Sequence, residues 1–168
     1  VPRMMTEGAS ALIKSWVESK GVAVHTSTRV EAITAGAQKG VNGPTLKVSL
    51  SNGQSIEVDL IISATGVRPN IEFLKDTGID INKGILVNEF LETNVPNVYA
   101  VGDCAEFKVP VNARKSIEQV WYTGKIMGET VANTLTGNKL KYNPGNWFNS
   151  AKFFDIEYQT YGQVLPIR

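Results

Sequence analysis

The pattern of apolar and polar positions changes along the chain, and each pattern predicts a different element. Near the start, apolar residues recur at helical spacing, namely Ala9, Leu12, Ile13, Trp16 and Val17. This stripe predicts an amphipathic helix over Thr6–Lys20. Gly21 follows where helices often end in a left-handed residue. The apolar segment after it, 22–26, predicts a strand.

Strict alternation begins further along the chain. Apolar and polar residues alternate over 46–50 and again over 56–58, on either side of Asn52-Gly53. The Asn-Gly pair favours a two-residue hairpin turn in which both central residues need a positive φ. Together with the segment 29–35, these runs predict an antiparallel meander of about three strands, each with one polar face.

Leu60-Ile61-Ile62 shows no alternation, which is typical of a strand buried on both faces. Further short strands are expected at 84–87 and 98–101. The longest predicted element is a helix over Asn112–Thr136.

Two glycines, Gly124 and Gly128, interrupt one face of this long helix. Each costs roughly 1 kcal/mol of helix propensity. We therefore expect something large or planar to approach that face closely.

Composition narrows the classes of function. The 168 residues include 17 Lys or Arg and 16 Asp or Glu, and the net charge of +1 gives no electrostatic reason to expect nucleic acid or a membrane as partner. Cys104 and His25 are the only residues of their types, which excludes an internal disulfide and a multi-cysteine metal site. We assign neither of them a catalytic role and expect no metal. The chain starts with Val1 and lacks a signal peptide pattern, so we expect a cytoplasmic protein.

The segment Thr93–Cys104, TNVPNVYAVGDC, carries the most chemical information. It predicts a buried strand that ends in Gly102-Asp103, and ligands of open α/β sheets sit at such strand ends. Gly102 would let a ligand approach the backbone, and Asp103 would accept hydrogen bonds from the hydroxyls of a sugar or sugar alcohol. The alternative is that Asp103 only caps the segment that follows it.

This segment resembles the second FAD-binding motif of the pyridine nucleotide-disulfide oxidoreductases, the two-dinucleotide-domain flavoproteins that include glutathione reductase. Ala64–Asn70, ATGVRPN, resembles the Ala-Thr-Gly turn at which chains of that family return from the nicotinamide domain to the FAD domain. The resemblance implies that Asp103 hydrogen-bonds the ribitol of FAD. It also implies that Gly102, Thr65 and Gly66 belong to the cofactor site.

The predicted long helix fits the same family, in which the positive end of this helix faces the pyrimidine edge of the flavin. Glu118–Trp121 is the matching region, so the resemblance implies that Gln119, Val120 and Trp121 bind the cofactor, with Trp121 beside the isoalloxazine ring. The alternative for Trp121 is an ordinary core aromatic. Trp121 followed by two glycines is most similar to ferredoxin and rubredoxin reductases, nitrite reductase flavodomains and NADH oxidases.

The resemblance implies an α/β fold, a partial FAD/NAD(P)-binding three-layer (ββα) fold with an antiparallel β-meander, incomplete at both ends. Residues 1–64 would be the second half of an NAD(P)H-binding domain, 65–139 the C-terminal part of an FAD-binding domain, and 140–168 the start of a C-terminal interface domain. Neither Gly-x-Gly-x-x-Gly loop of the family is present, although each would bind a pyrophosphate. We therefore expect a fragment of a longer protein.

Two functions are compatible with these features. In the first, the parent is an FAD-dependent enzyme that passes a hydride from NAD(P)H to FAD and then electrons to an unidentified acceptor such as a redox protein. The fragment alone would be inactive. In the second, the chain is a non-catalytic scaffolding module that binds no dinucleotide and associates with the missing halves of the same protein or with another copy of itself.

Overall fold

The computed structural model describes residues 5–41 and 43–162, with the backbone alone at position 113. These residues form two compact units, of which one is Glu7–Thr65 and the other contains residues 66–162 together with 5 and 6. The first four and last six positions of the expected domains lie outside the described residues. The functional assignment of the three expected domain segments stays a prediction.

The first unit begins with helix α1 (Glu7–Ser19), which confirms the predicted amphipathic helix. Its end is also as predicted, because Gly21 has a φ of 84°. The Gly21 N–H bonds to the Glu18 carbonyl, and the Val22 N–H bonds to the Val17 carbonyl. This pair of bonds is a Schellman cap, which satisfies carbonyls that the helix itself leaves free.

The predicted meander is confirmed as a three-stranded antiparallel sheet in the order β1-β2-β3. Strand β1 spans Val30–Gly40, β2 spans Gly43–Leu50 and β3 spans Ser55–Val58. The central strand β2 contributes the buried apolar residues Val48 and Leu50. The mixture of this sheet with helices agrees with the expected α/β class.

The hairpin between β2 and β3 differs in detail from the predicted turn. Gly53 has a φ of 82°, whereas Asn52 is not among the residues with positive φ. The Gly53 N–H bonds to the Leu50 carbonyl, and the Leu50 N–H bonds to the Gln54 carbonyl. The loop is therefore of the three-residue kind, in which a type I turn is followed by a left-handed residue.

Three predicted strands are not formed. Residues 22–26, 60–62 and 98–101 belong to no ladder, although Tyr99 forms one isolated bridge with Glu92. Leu60 and Ile62 are 72% and 81% exposed, so this apolar run is not buried. A buried strand needs neighbouring strands and covering helices, and no segment of the described chain pairs with 60–62.

The second unit contains a short parallel pair of strands, β4 (Ile85–Val87) and β5 (Ala105–Phe107). Strand β4 confirms the strand expected at 84–87. Strand β5 follows the Gly-Asp motif, whereas the prediction put a strand before it. The core of the unit surrounds this pair and includes the fully buried Val87, Leu91 and Met127.

Helix α2 (Trp121–Leu135) begins at Trp121 rather than at Asn112. Asn112 lies within a short 3-10 turn at 111–113 and has a φ of 53°, which is not a helical conformation. The segment 114–120 is not helical, because it runs beside β5 and the Phe107 N–H bonds to the Ser116 carbonyl at 2.9 Å. Gln119 and Val120 therefore precede the helix instead of lying inside it.

A hairpin of β6 (Phe148–Phe153) and β7 (Ile156–Tyr161) follows helix α2. Its register pairs Phe148 with Tyr161. The Phe148 ring packs on Tyr122 of α2 with 4.5 Å between centroids. The hairpin is thus attached to the start of α2 through aromatic contacts.

Candidate functional site

The Gly102-Asp103 pair forms a 3-10 turn, Gly102–Cys104, immediately before β5. Gly102 has a φ of 78°, a backbone conformation that residues other than glycine rarely adopt. Its N–H donates a hydrogen bond to the Met127 sulfur at 3.2 Å. Asp103 is exposed. Among the described residues its carboxylate has no hydrogen-bond partner, so Asp103 does not cap the segment that follows it, which was the alternative role. A free carboxylate of this kind can accept hydrogen bonds from hydroxyl groups.

The start of helix α2 lies against this turn. The Gln119 side-chain amide reaches the Asp103 carbonyl at 3.5 Å. A Cβ added at Gly124 would lie 3.5 Å from the Gly102 Cα. The structure therefore brings Gly102, Asp103 and Gln119 together, and Gly124 faces the Gly102 backbone at a distance that a Cβ would tolerate as an ordinary van der Waals contact. A Cβ added at Gly128 would meet no atom within 4 Å.

The first turn of α2 carries an uncompensated positive end. Its N-cap residue, Val120, is extended, no side chain caps the helix, and the first turn contains no acidic residue. The first N–H groups of a helix have no intrahelical partner and attract negative charge. Glu118 lies three residues before the first residue of the helix, and its oxygens accept hydrogen bonds from Arg114 Nη2 at 2.6 Å and Nε at 2.8 Å.

Trp121, the first residue of α2, is 71% exposed, so it is not a core residue in this structure. Its ring lies edge-on to Tyr122 at 5.3 Å between centroids. The Lys125 ammonium lies 5.8 Å from the Trp121 ring centroid. An exposed indole beside a helix N-terminus can pack against a planar ligand.

Thr65 and Gly66 are exposed, and Gly66 has a φ of 100°. Thr65 ends the first unit, so the predicted cofactor contacts of both residues stay predictions. Cys104 is partly exposed, and its thiol lies 3.5 Å from the Val101 carbonyl. Within the part of the chain that is described, no cluster of three or more His, Cys, Asp or Glu side chains could hold a metal ion.

Sequence reasoning did not identify Arg114 or Tyr142. Arg114 also donates through Nη1 to the Gly145 carbonyl at 3.3 Å, which joins the segment before α2 to the segment after it. Tyr142 is buried and stacks on Phe107 at 4.9 Å between centroids. Burial raises the pKa of Tyr142 to about 12. The four-residue spacing of Arg114 and Glu118 is a local signal, but it would have indicated a helical pair.

Comparison with known proteins gives consistent results. The family model for pyridine nucleotide-disulphide oxidoreductases matches residues 1–126. NADH oxidase of Methanocaldococcus jannaschii is 32% identical over 160 residues, which cover 94% of this chain and 34% of the relative. Rubredoxin-NAD(+) reductase of Acinetobacter baylyi is 41% identical over 90 residues, which cover 54% of this chain and 22% of the relative.

Solved structures agree with the sequence matches. A ferredoxin reductase from Rhodopseudomonas palustris superposes with a TM-score of 0.80 at 26% identity, over 94% of this chain and 38% of that protein. A NAD-dependent persulfide reductase from A. fulgidus superposes with a TM-score of 0.82 at 28% identity, over 97% of this chain and 29% of that protein. The chain thus spans well under half the length of the relatives that it matches. Across the described ranges, no helix is both long and apolar enough to cross a bilayer.

Proposed function

Because the chain belongs to the pyridine nucleotide-disulphide oxidoreductase family, we propose that its Gly102-Asp103 turn and the start of α2 form part of an FAD site in an NAD(P)H-dependent oxidoreductase. The observation that carries this proposal is the combination of two features: the exposed Asp103 carboxylate, which has no hydrogen-bond partner among the described residues, and the uncapped N-terminus of α2, the helix whose Met127 accepts the Gly102 N–H. One offers an acceptor for hydroxyl groups. The other offers a positive end for developing negative charge.

The residues present fit one part of FAD. The Asp103 carboxylate would accept hydrogen bonds from the ribitol, and Gly102 leaves room for the ligand because it has no side chain. When bound, FAD supplies a ring that accepts a hydride from NAD(P)H. The N–H groups of the first α2 turn would stabilise negative charge at the pyrimidine edge of that ring, and Gln119, Val120 and Trp121 would line it. Neither Gly-x-Gly-x-x-Gly loop is in the sequence, so other parts of the protein would bind the pyrophosphates.

The partial coverage of every relative named above supports a division of labour within a longer protein. On this proposal, residues 1–64 complete an NAD(P)H-binding domain, 65–139 complete an FAD-binding domain that includes Thr65 and Gly66, and 140–168 begin an interface domain. These 168 residues alone would be inactive. The names of the rubredoxin and ferredoxin reductases support a redox protein as electron acceptor.

The test uses the complete protein that contains this chain. We expect it to bind FAD and to oxidise NADH or NADPH. Replacing Asp103 by Asn removes the charged acceptor, and a hydrogen bond to a charged group contributes about 1.5–3 kcal/mol, so FAD should bind roughly 10–100-fold more weakly. Equilibrium titration of the apoprotein with FAD measures the change.

The matched control is Asp76→Asn, at another exposed aspartate, whose φ of 64° asparagine also tolerates. The control should bind FAD like the unmodified protein. A complete protein that stays colourless after addition of FAD would contradict the proposal. An Asp103→Asn variant with unchanged FAD affinity would contradict the role of this residue alone.

A second function, a scaffolding module that binds no dinucleotide, is supported by the exposed apolar side chains of Leu60 and Ile62. Exposed apolar surface favours association with a partner or with another copy. The visible spectrum and the solution mass of the isolated chain test this second function, whereas FAD binding by the complete protein tests the first. A flavin-free oligomer would favour the second function for the isolated chain and would leave the chemistry of the complete protein untouched.

A further inference from the structure

An ion pair stands directly before the proposed flavin contacts, and it is unusually well shielded from solvent. Arg114 and Glu118 form two parallel hydrogen bonds, and each side chain is only 9% exposed. By contrast, the Lys125–Glu129 pair on α2 itself has side chains that are 58% and 61% exposed. Exposed pairs contribute little, whereas removal of one partner from a shielded pair leaves an uncompensated charge.

The backbone geometry gives this pair a second role. Arginine and glutamate four residues apart normally meet along a helix, but residues 114–120 are not helical. The pair therefore closes the non-helical segment into a loop. The loop is held on both sides, because the Ser116 carbonyl accepts the Phe107 N–H at 2.9 Å and Arg114 Nη1 donates to the Gly145 carbonyl. Gln119 follows directly and reaches the Asp103 carbonyl.

The charge of Glu118 would otherwise oppose the proposed function. Glu118 stands three residues before Trp121, where the first turn of α2 has free N–H groups and no capping side chain. A carboxylate freed from Arg114 would either cap those N–H groups or add a negative charge beside them. Either change would reduce the ability of the helix end to stabilise an anionic flavin.

We propose that Arg114 is a positioning residue that neutralises Glu118 and so keeps the positive end of α2 available to the reduced flavin. This inference rests on the proposed function, because it concerns the same FAD site. It assigns to Arg114 the control of the flavin reduction potential without direct contact with the flavin. Arg114 acts through the charge of Glu118 and through the loop that carries Gln119.

The test is a set of variants in the complete, FAD-loaded protein, with the reduction potential of the bound flavin as the measurement. Arg114→Met frees the Glu118 charge, so the potential should become more negative. Glu118→Gln removes that charge, so the potential should stay level or rise. The double variant R114M/E118M removes both charges at similar volume, and its potential should return to that of the unmodified protein. Arg114→Lys keeps the charge, so its potential should lie close to that of the unmodified protein.

The control is Lys152→Met, which breaks an exposed ion pair with Glu157 on the β6–β7 hairpin and should leave the potential unchanged. If the Arg114→Met protein is less stable but its flavin has an unchanged reduction potential, then Arg114 has only a structural role and the inference is wrong. A double variant that stays as negative as Arg114→Met would also overturn it. If Arg114→Met does not fold, Arg114→Gln takes its place, because it removes the same charge but keeps hydrogen-bond donors, and it should lower the potential in the same way. If the unmodified protein binds no FAD, the proposed function itself fails.

Discussion

Burial determines which single side chains of this protein behave unusually. Tyr142 is 4% exposed, and its hydroxyl has no hydrogen-bond partner in the described ranges. Burial is the main cause that raises its pKa to about 12, the Arg114 charge lowers it and the Glu118 charge raises it. Asp103, by contrast, is exposed and open to a ligand. Tyr142 is therefore suited to packing in the core, and Asp103 is suited to binding a ligand.

Tyr142 makes a prediction about stability at high pH. The folded-state pKa of about 12 exceeds the unfolded value of about 10. The neutral phenol therefore contributes stability that is complete below about pH 10 and is lost as the pH rises through the folded-state value. Tyr142→Phe should reduce the fall in unfolding free energy across this range, measured by urea titration at several pH values.

The control for this prediction is Tyr161→Phe, because Tyr161 is exposed. This variant should lose stability with pH as the unmodified protein does. Ultraviolet absorbance should also show one tyrosine that ionises only near its folded-state pKa, and Tyr142→Phe should abolish that step. Identical pH profiles for Tyr142→Phe and the unmodified protein would contradict the assignment.

Helix α2 shows how an element serves two purposes. Its start lies at the Gly102-Asp103 turn, and its buried Met127 belongs to the core cluster and accepts the Gly102 N–H. Gly124 faces Gly102, and a Cβ there would make an ordinary van der Waals contact, so packing within this structure does not require a glycine at position 124. Gly128 has open space beside it, so within this structure its lack of a side chain has no packing reason.

Gly128→Ala tests whether the open space beside α2 belongs to a ligand. A Cβ there would meet no atom within 4 Å, and alanine should stabilise the free protein by about 1 kcal/mol through helix propensity. If the flavin approaches this face, the same variant should bind FAD more weakly. Urea unfolding of the apoprotein and FAD titration measure the two effects.

Gly102→Ala is the matched comparison, because Gly102 has a φ of 78°. A left-handed conformation costs an alanine about 1–2 kcal/mol, so this variant should be less stable. A Gly128→Ala apoprotein that is destabilised would contradict the open space seen beside α2. Unchanged FAD affinity would show that the ligand does not approach Gly128.

The whole molecule consists of two compact units, and the apolar run 60–62 lies near the end of the first. The apolar core cluster that surrounds β4 and β5 lies entirely in the second unit. Leu60 and Ile62 are exposed although their sequence pattern is that of a buried strand. Such a run is available for pairing with a further strand, whether from the same protein or from another copy.

The isolated chain should therefore associate with itself. We expect its mass in sedimentation velocity to rise with concentration, because apolar surface is exposed at Leu60 and Ile62. Replacing both residues by Ser should reduce this association. Val41→Ser, which replaces one exposed apolar residue directly after β1, is the control and should have little effect. A chain that stays monomeric at every concentration would contradict the prediction.

The sequence by itself determined the parts of this protein that depend on neighbours along the chain. Helix α1, its end at Gly21 and the three-stranded meander were predicted correctly, because helical stripes, a left-handed glycine and a hairpin are short-range features. The Gly-Asp and Ala-Thr-Gly motifs were sufficient to indicate the family.

Only the tertiary structure decided the features that need distant partners. Residues 60–62 have the composition of a buried strand but lack a pairing strand, so they stay exposed. Helix α2 starts at Trp121 because the preceding residues bond to β5 and close through Arg114 and Glu118. The raised pKa of Tyr142 likewise depends on burial against Phe107. Strand pairing, burial and shielded charge are properties of the folded arrangement, and no local pattern of residues contains them.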